Sequence, residues 1–244
     1  MIPLKDDIPR LSAPLMNGFL IVANLLVFLF QNSLDRASQA DFILTFGLVP
    51  ARLATLLPGV AIHAQHGHGH GHPLSPALLL LPILTSMFMH ANWWHIIFNM
   101  WFLWIFGRSL EDSLGHLPYL VFYLTCGVVA ALAQIASDWN SVIPTLGASG
   151  AIAGVMGGYF VMYPRSRVLM LVPFLFIFFL WLPAWAVLGY WFVLQFLSGV
   201  GTALVAPDRN AGGVAFWAHV GGFVAGVLLV KLFPSRTRRY LYGS

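Results

Sequence analysis

Apolar residues run along this chain in blocks close to the length of a bilayer, broken by short polar intervals. A helix needs about 20 mostly apolar residues to cross a membrane. Six blocks approach that length, at roughly 14–31, 93–107, 118–136, 147–163, 183–205 and 214–233. Two further apolar stretches, PALLLLPILTSMFM (76–89) and RVLMLVPFLFIFFLWL (167–182), each hold an internal proline. Proline removes a helix hydrogen bond and clashes with the preceding turn. Each stretch also lies beside a better span, so both are expected as membrane-embedded or interfacial loop. The pattern predicts an all-α membrane protein, a six-transmembrane-helix bundle forming one domain over 1–244. It has a long first loop at 32–92 and a basic tail at 234–244.

Composition agrees. The 244 residues are 59% hydrophobic and 8% charged, against about 25% charged in a soluble domain. The charges also test the span count. With six spans and the N-terminus inside, Lys5, Arg10, Arg108, Arg165, Arg167, Lys231, Arg236, Arg238 and Arg239 are cytoplasmic, and Arg36, Arg52 and Arg209 lie outside. Basic residues favour the cytoplasmic side, and a further span at 167–182 would push the basic tail outside. No small-x-small cleavage site follows the first block, so it is expected to be retained. Without a eukaryotic targeting presequence, the expected site is a prokaryotic plasma membrane, with a multi-pass chain and both termini cytoplasmic. The net charge of +4 is no nucleic-acid signature, and the single Cys126 allows no internal disulfide.

Candidate chemistry narrows by subtraction. The acids Asp6, Asp7, Asp35, Asp41, Glu111, Asp112, Asp138 and Asp208 all fall at span ends or in loops. An ion-coupled transporter would keep an acid within a span, an aspartyl protease would need two, and no His-Glu-x-x-His zinc motif occurs. Polar residues inside spans include Ser149 on the fourth, His219 on the sixth, and His95 with Asn99 on the second. Gly150 and Gly154 make a smooth stripe beside Ser149, and Gly222 and Gly226 make one on the face of His219. Such stripes let membrane helices approach closely. Packed together, they bring Ser149 within reach of an imidazole able to take its proton. His95 and Asn99, at i and i+4, share a face and can both donate to an oxyanion. The Ser149 amide, near its helix start, is a third donor. Singly, each has a plain packing explanation. Together they form a set for acyl transfer, with no acidic third member.

These residues resemble the rhomboid family of intramembrane serine proteases. GASG (147–150) is similar to its Gly-x-Ser-Gly nucleophile motif, AHVGGFVAG (218–226) to its Ala-His-x-x-Gly-x-x-x-Gly helix, and HANWWHIIFNMWFLWIFG (90–107) to its His-x-x-x-Asn helix. FGLVPARL and LPAWAVLGYWFVLQ resemble its first loop and fifth helix. The resemblance implies a rhomboid-like six-helix fold and a Ser149–His219 dyad in a water-filled cavity. It implies an oxyanion site of His95, Asn99 and the Ser149 amide. The implied partners are transmembrane protein substrates and the lipid bilayer, without nucleic acid, and no metal or other cofactor is needed. By analogy the aromatic-rich fifth span (Trp185, Tyr190, Trp191, Phe192, Phe196) is a lateral gate. Two features depart from the family pattern. Some members carry an aromatic four residues past the nucleophile that stacks on the base, where this chain has Ala153. The Trp-Arg pair that some show in the first loop is absent.

The run HGHGHGH (66–72) would bind zinc or nickel, but its glycines make ordering costly. It is read as a hydrophilic insert outside the active site. The alternative function is a catalytically silent rhomboid-like protein that binds membrane helices. Such a protein is expected to lack the serine or the histidine, and both are present.

Overall fold

The structure is a computed structural model describing residues 2–54, 79–173, 177–205 and 214–233. It is mostly helical. β1 (Ile2–Asp6) leads into α1 (Leu15–Ser33), then α2 (Arg36–Phe46) and α3 (Pro50–Ala54). Within the stretch at 76–89, the described residues 79–89 form no helix long enough to span. They include α4 (Pro82–Thr85) and a 3₁₀ turn, Ser86–Phe88. Pro82 stands at the first helical turn, where a missing N–H costs nothing. The second expected span starts as α5 (Trp93–Phe102), passes through a π-helical turn at Leu103–Gly107, and continues as α6 (Arg108–Leu114). Then come α7 (His116–Ser137), α8 (Ser149–Met162), the strands β2 (Arg167–Pro173) and β3 (Ile177–Pro183), α9 (Ala184–Val205) and α10 (Phe216–Leu229).

Among the described residues, three helices are long and apolar enough to cross a membrane: α1, α7 and α9 over Ala184–Leu204. The other three expected spans are shorter or interrupted. The helices are apolar outward as well as inward. Leu26, Trp94, Leu132 and Leu197 are each more than half exposed, as a lipid-facing surface requires. The tightest packing joins α7, α8 and α10, around a core that includes Phe106, Tyr119, Phe122, Tyr123 and Tyr159.

The all-α expectation, and the expectation of a loop at 167–182, need correction. β1, β2 and β3 form a three-stranded antiparallel sheet in that order. Ile2 pairs with Leu171 and Asp6 with Val168. Arg167 pairs with Pro183 and Pro173 with Ile177. The reason is period-two burial. Val168 and Met170 point into the core while Arg167 is exposed, the alternation a one-sided sheet requires.

Polar groups tie the elements at one end. Glu111, fully buried, accepts the N–H groups of Met16 and Asn17 at 2.8 Å and meets His116 Nδ1 at 2.5 Å. It satisfies the first turn of α1, which has no side-chain cap of its own, where a carboxylate suits the helix dipole. Asp6 pairs with Arg108 at 3.2 Å and accepts from Ser109 Oγ at 2.6 Å and Tyr159 Oη at 3.1 Å. On the loop side, Asp35 caps α2 through the N–H groups of Ala37 and Ser38. The Ser38 hydroxyl helps hold its carboxyl below the ordinary carboxylate range.

Candidate active site

The site lies where α8 crosses α10, at the end of α8 away from the Asp6 cluster. Glycines set the separation of the two helices. A Cβ on Gly222 would fall on the carbonyl oxygen of Gly150, and one on Gly226 on that of Gly154. A Cβ on Gly150 would meet Ala130 of α7 at 2.7 Å, and one on Gly154 would strike Cys126 of the same helix. No other residue type permits backbones this close.

The turn ahead of α8 is equally constrained. Gly147 has φ +127°, a region that L-residues with a side chain avoid. Its N–H donates to Ser86 O at 2.9 Å, and Thr145 and Leu48 exchange backbone hydrogen bonds at 2.7 and 3.1 Å. These bonds hold the start of α8 at Ser149 against the first loop. As the first helical residue, Ser149 has an N–H with no partner inside the helix.

The crossing brings Ser149 Oγ to 2.8 Å from His219 Nε2. On the far side of the ring, His219 Nδ1 lies 2.7 Å from Oε1 of Gln195 on α9. An amide oxygen only accepts, so Nδ1 carries the proton and Nε2 presents its lone pair to the serine hydroxyl. The Trp191 ring, one turn before Gln195, lies 5.7 Å from the imidazole at 37°. An aromatic thus stands beside the base although position 153 is an alanine. The sequence names Trp191 only as part of the aromatic-rich gate helix and leaves Gln195 unmarked. The polar side chain one helical turn from Trp191 was the available signal.

α5 presents the other pair. Asn92 caps it, accepting the His95 N–H at 2.9 Å. The His95 Nδ1 accepts from Ala91 N at 3.4 Å, which leaves Nε2 to carry the proton. That edge faces the Gly147 turn, where a Cβ would stand 2.8 Å from it. Asn99, one turn further along α5, is buried, and its Nδ2 has no partner. A small cavity of ≈ 30 Å³ opens beside Ser149, lined by Gly147, Gly150, Ser86 and Ala218 among others. That is room for about one water molecule. His90, also buried, lies edge-on to His95 at 5.0 Å.

Among the described residues there is no group of three or more metal-ligating side chains. The histidine run at 63–72 and the basic tail at 234–244 lie outside the described residues.

Comparison with known proteins supplies the context. The family model described as "Rhomboid domain" matches residues 79–236. "Rhomboid protein 1, mitochondrial" of Saccharomyces cerevisiae is 31% identical over 153 residues, 61% of this chain and 40% of the relative. "Presenilin-associated rhomboid-like protein A, mitochondrial" of Danio rerio is 31% identical over 157 residues, 60% of this chain and 36% of the relative. "Rhomboid-like protein 11, chloroplastic" of Arabidopsis thaliana is 40% identical over 72 residues, 29% of this chain and 25% of the relative. The matches therefore span well under half of each relative's length. They overturn the expectation of a prokaryotic plasma membrane with cytoplasmic termini. The relatives are named for mitochondria and for a chloroplast, organelles of eukaryotic cells.

Proposed function

The chain belongs to the rhomboid family, and from that premise we propose that it is an intramembrane serine endopeptidase acting through a Ser149–His219 dyad. The observation that carries this reading is the 2.8 Å approach of Ser149 Oγ to His219 Nε2. His219 Nε2 takes the hydroxyl proton as Oγ attacks the scissile carbonyl carbon. The carbonyl oxygen becomes an oxyanion, received by the His95 Nε2–H, the Asn99 amide and the Ser149 N–H. His219 then gives its proton to the leaving amine. Water, deprotonated by the same imidazole, frees the acyl group and restores the serine. The dyad needs no metal or other cofactor.

The substrate in this reading is a membrane protein cut in or near its own transmembrane segment. The fold is a six-span bundle in which short helices carry the chemistry. At 14 residues, α8 is roughly 21 Å long, against about 30 Å of hydrocarbon. A helix that short leaves its first residue below one membrane face, within reach of water from a shallow cavity. A substrate helix hides its carbonyls in internal hydrogen bonds, so it must unwind before attack, and α9 is the gate by which it enters.

The test is cleavage of a type I transmembrane substrate by purified protein in liposomes, beside Ser149→Ala and His219→Ala. Wild type cuts and both variants are silent. Cleavage by Ser149→Ala would refute the assignment. If no substrate is cut and a fluorophosphonate fails to label Ser149, the protein is a silent binder of membrane helices.

A further inference from the structure

We propose that Gln195 is a positioning residue of the dyad, the third member of a Ser149–His219–Gln195 chain of hydrogen bonds that orients the imidazole. The inference deepens the protease reading and rests on it. Three observations carry it. Gln195 Oε1 stands 2.7 Å from His219 Nδ1, on the opposite side of the ring from Ser149 at 2.8 Å. The two bonds are complementary, because an acceptor at Nδ1 selects the tautomer with a free lone pair at Nε2. No acid stands in this place: among the described residues, no carboxylate is bonded to His219.

The neighbours explain why an amide oxygen serves here. In an apolar setting a buried carboxylate would carry a heavy desolvation cost, and a neutral amide avoids most of it. It still fixes the ring plane and the tautomer. It does less than an anion to stabilise the imidazolium formed during attack, so this dyad is held by orientation more than by charge. Trp191, at i−4 on the same helix face as Gln195, flanks the imidazole at 5.7 Å. Together they do from α9 what an aromatic at position 153 would do from α8.

The placement has a consequence for α9. It is the most lightly held of the three long helices, with 11% of its span buried against 28% for α1 and 39% for α7. Besides the Gln195 bond to His219, its contacts to α10 include ring pairs: Phe192 on Phe223 at 4.8 Å and Phe196 on Trp217 at 6.0 Å. The least anchored long helix thus carries the group that sets the base.

The test is the rate of fluorophosphonate labelling at Ser149 against pH, in wild type, Gln195→Leu and Gln195→Glu. This small probe reads the nucleophile directly and does not require a substrate helix to enter. Leucine keeps the volume and apolar surroundings but has no accepting oxygen. Its labelling should fall about 10- to 100-fold, the scale on which a neutral partner that orients a metal-binding histidine acts, and short of the roughly 10⁴-fold cost of disabling a triad's buried aspartate. Glutamate keeps an accepting oxygen, so Gln195→Glu labels within a few-fold of wild type. Ionised, it also moves the acid limb of the profile to higher pH by stabilising the imidazolium. Labelling of Gln195→Leu at the wild-type rate, or an equal fall in Leu and Glu, would overturn the proposal. If wild type itself does not label, the protease reading falls and this inference falls with it. If wild type labels and both variants match it, only the role of Gln195 falls.

Discussion

Asn99 is buried in the interior of α5, and its amide nitrogen has no protein partner among the described residues. A side chain kept in that state costs stability, so its removal should not harm the fold. We expect Asn99→Ala to melt at or slightly above the wild-type temperature in detergent, because a buried unpaired donor is gone. Cleavage should fall by about 10²–10³ in kcat, the usual cost of one oxyanion donor, with KM little changed. A parallel loss of stability and activity would make Asn99 an ordinary packing residue. Side chains like this one can be picked out of the sequence. Asn99 and His95 lie one turn apart, and polar groups within an apolar span are few enough to stand out. Gln195 was not legible in the same way. It lies midway along a long apolar helix, between Leu194 and Phe196, and only the packing of α9 on α10 brings it to His219. The aromatic beside the base was equally hidden, since spacing from Ser149 leads to Ala153 while the ring that fills the role belongs to another helix.

At the scale of elements, close packing of α8 on α10 holds the serine and histidine at bonding distance. The stripes behind it could be read from the three- and four-residue recurrence of glycine, because such a recurrence survives in sequence as a repeated small residue on one face. Gly226→Ala should be costly, because its Cβ would lie on the Gly154 carbonyl, and backbone cannot swing aside as a side chain can. We expect a loss of about 1–3 kcal/mol, seen as a lower melting temperature, and slower fluorophosphonate labelling as the crossing widens. Gly18→Ala is the contrast. Nothing lies within 4 Å of a Cβ there, so it should gain about 0.5–1 kcal/mol of helix stability and leave labelling alone. Equal effects at both positions would deny the crossing its role. The sheet shows the opposite limit of reading. Residues 167–182 are apolar enough to span, and short apolar runs do not separate strand from helix by periodicity. What decides is pairing of β2 with β1, more than 160 positions earlier in the chain, and no local pattern records that partner.

Across the whole molecule, polar chemistry is divided between the two ends of α8. Ser149 opens the helix at the cavity, while Tyr159, near its other end, donates to Asp6 of β1. Asp6 is the one carboxylate bonded to Arg108 among the described residues, and their side chains are 1% and 6% exposed. Through Ser109 and Tyr159 it also joins the first strand to α6 and α8. Removing one partner of a buried ion pair strands the other charge, at a cost of about 3–5 kcal/mol. Replacing both with apolar groups is often nearly neutral. Asp6→Ala should therefore lower the melting temperature sharply, and the double variant Asp6→Ala with Arg108→Leu should recover most of the loss. The fraction that stays folded should label at Ser149 at the wild-type rate, because the cluster and the dyad share only the rigid body of α8. A double variant no more stable than Asp6→Ala would mean that the bonds to Ser109 and Tyr159, rather than the ion pair, fasten β1. A lower labelling rate per folded molecule would mean that the two ends of α8 are coupled, with the N-terminal strand helping to set the crossing that holds Ser149 against His219.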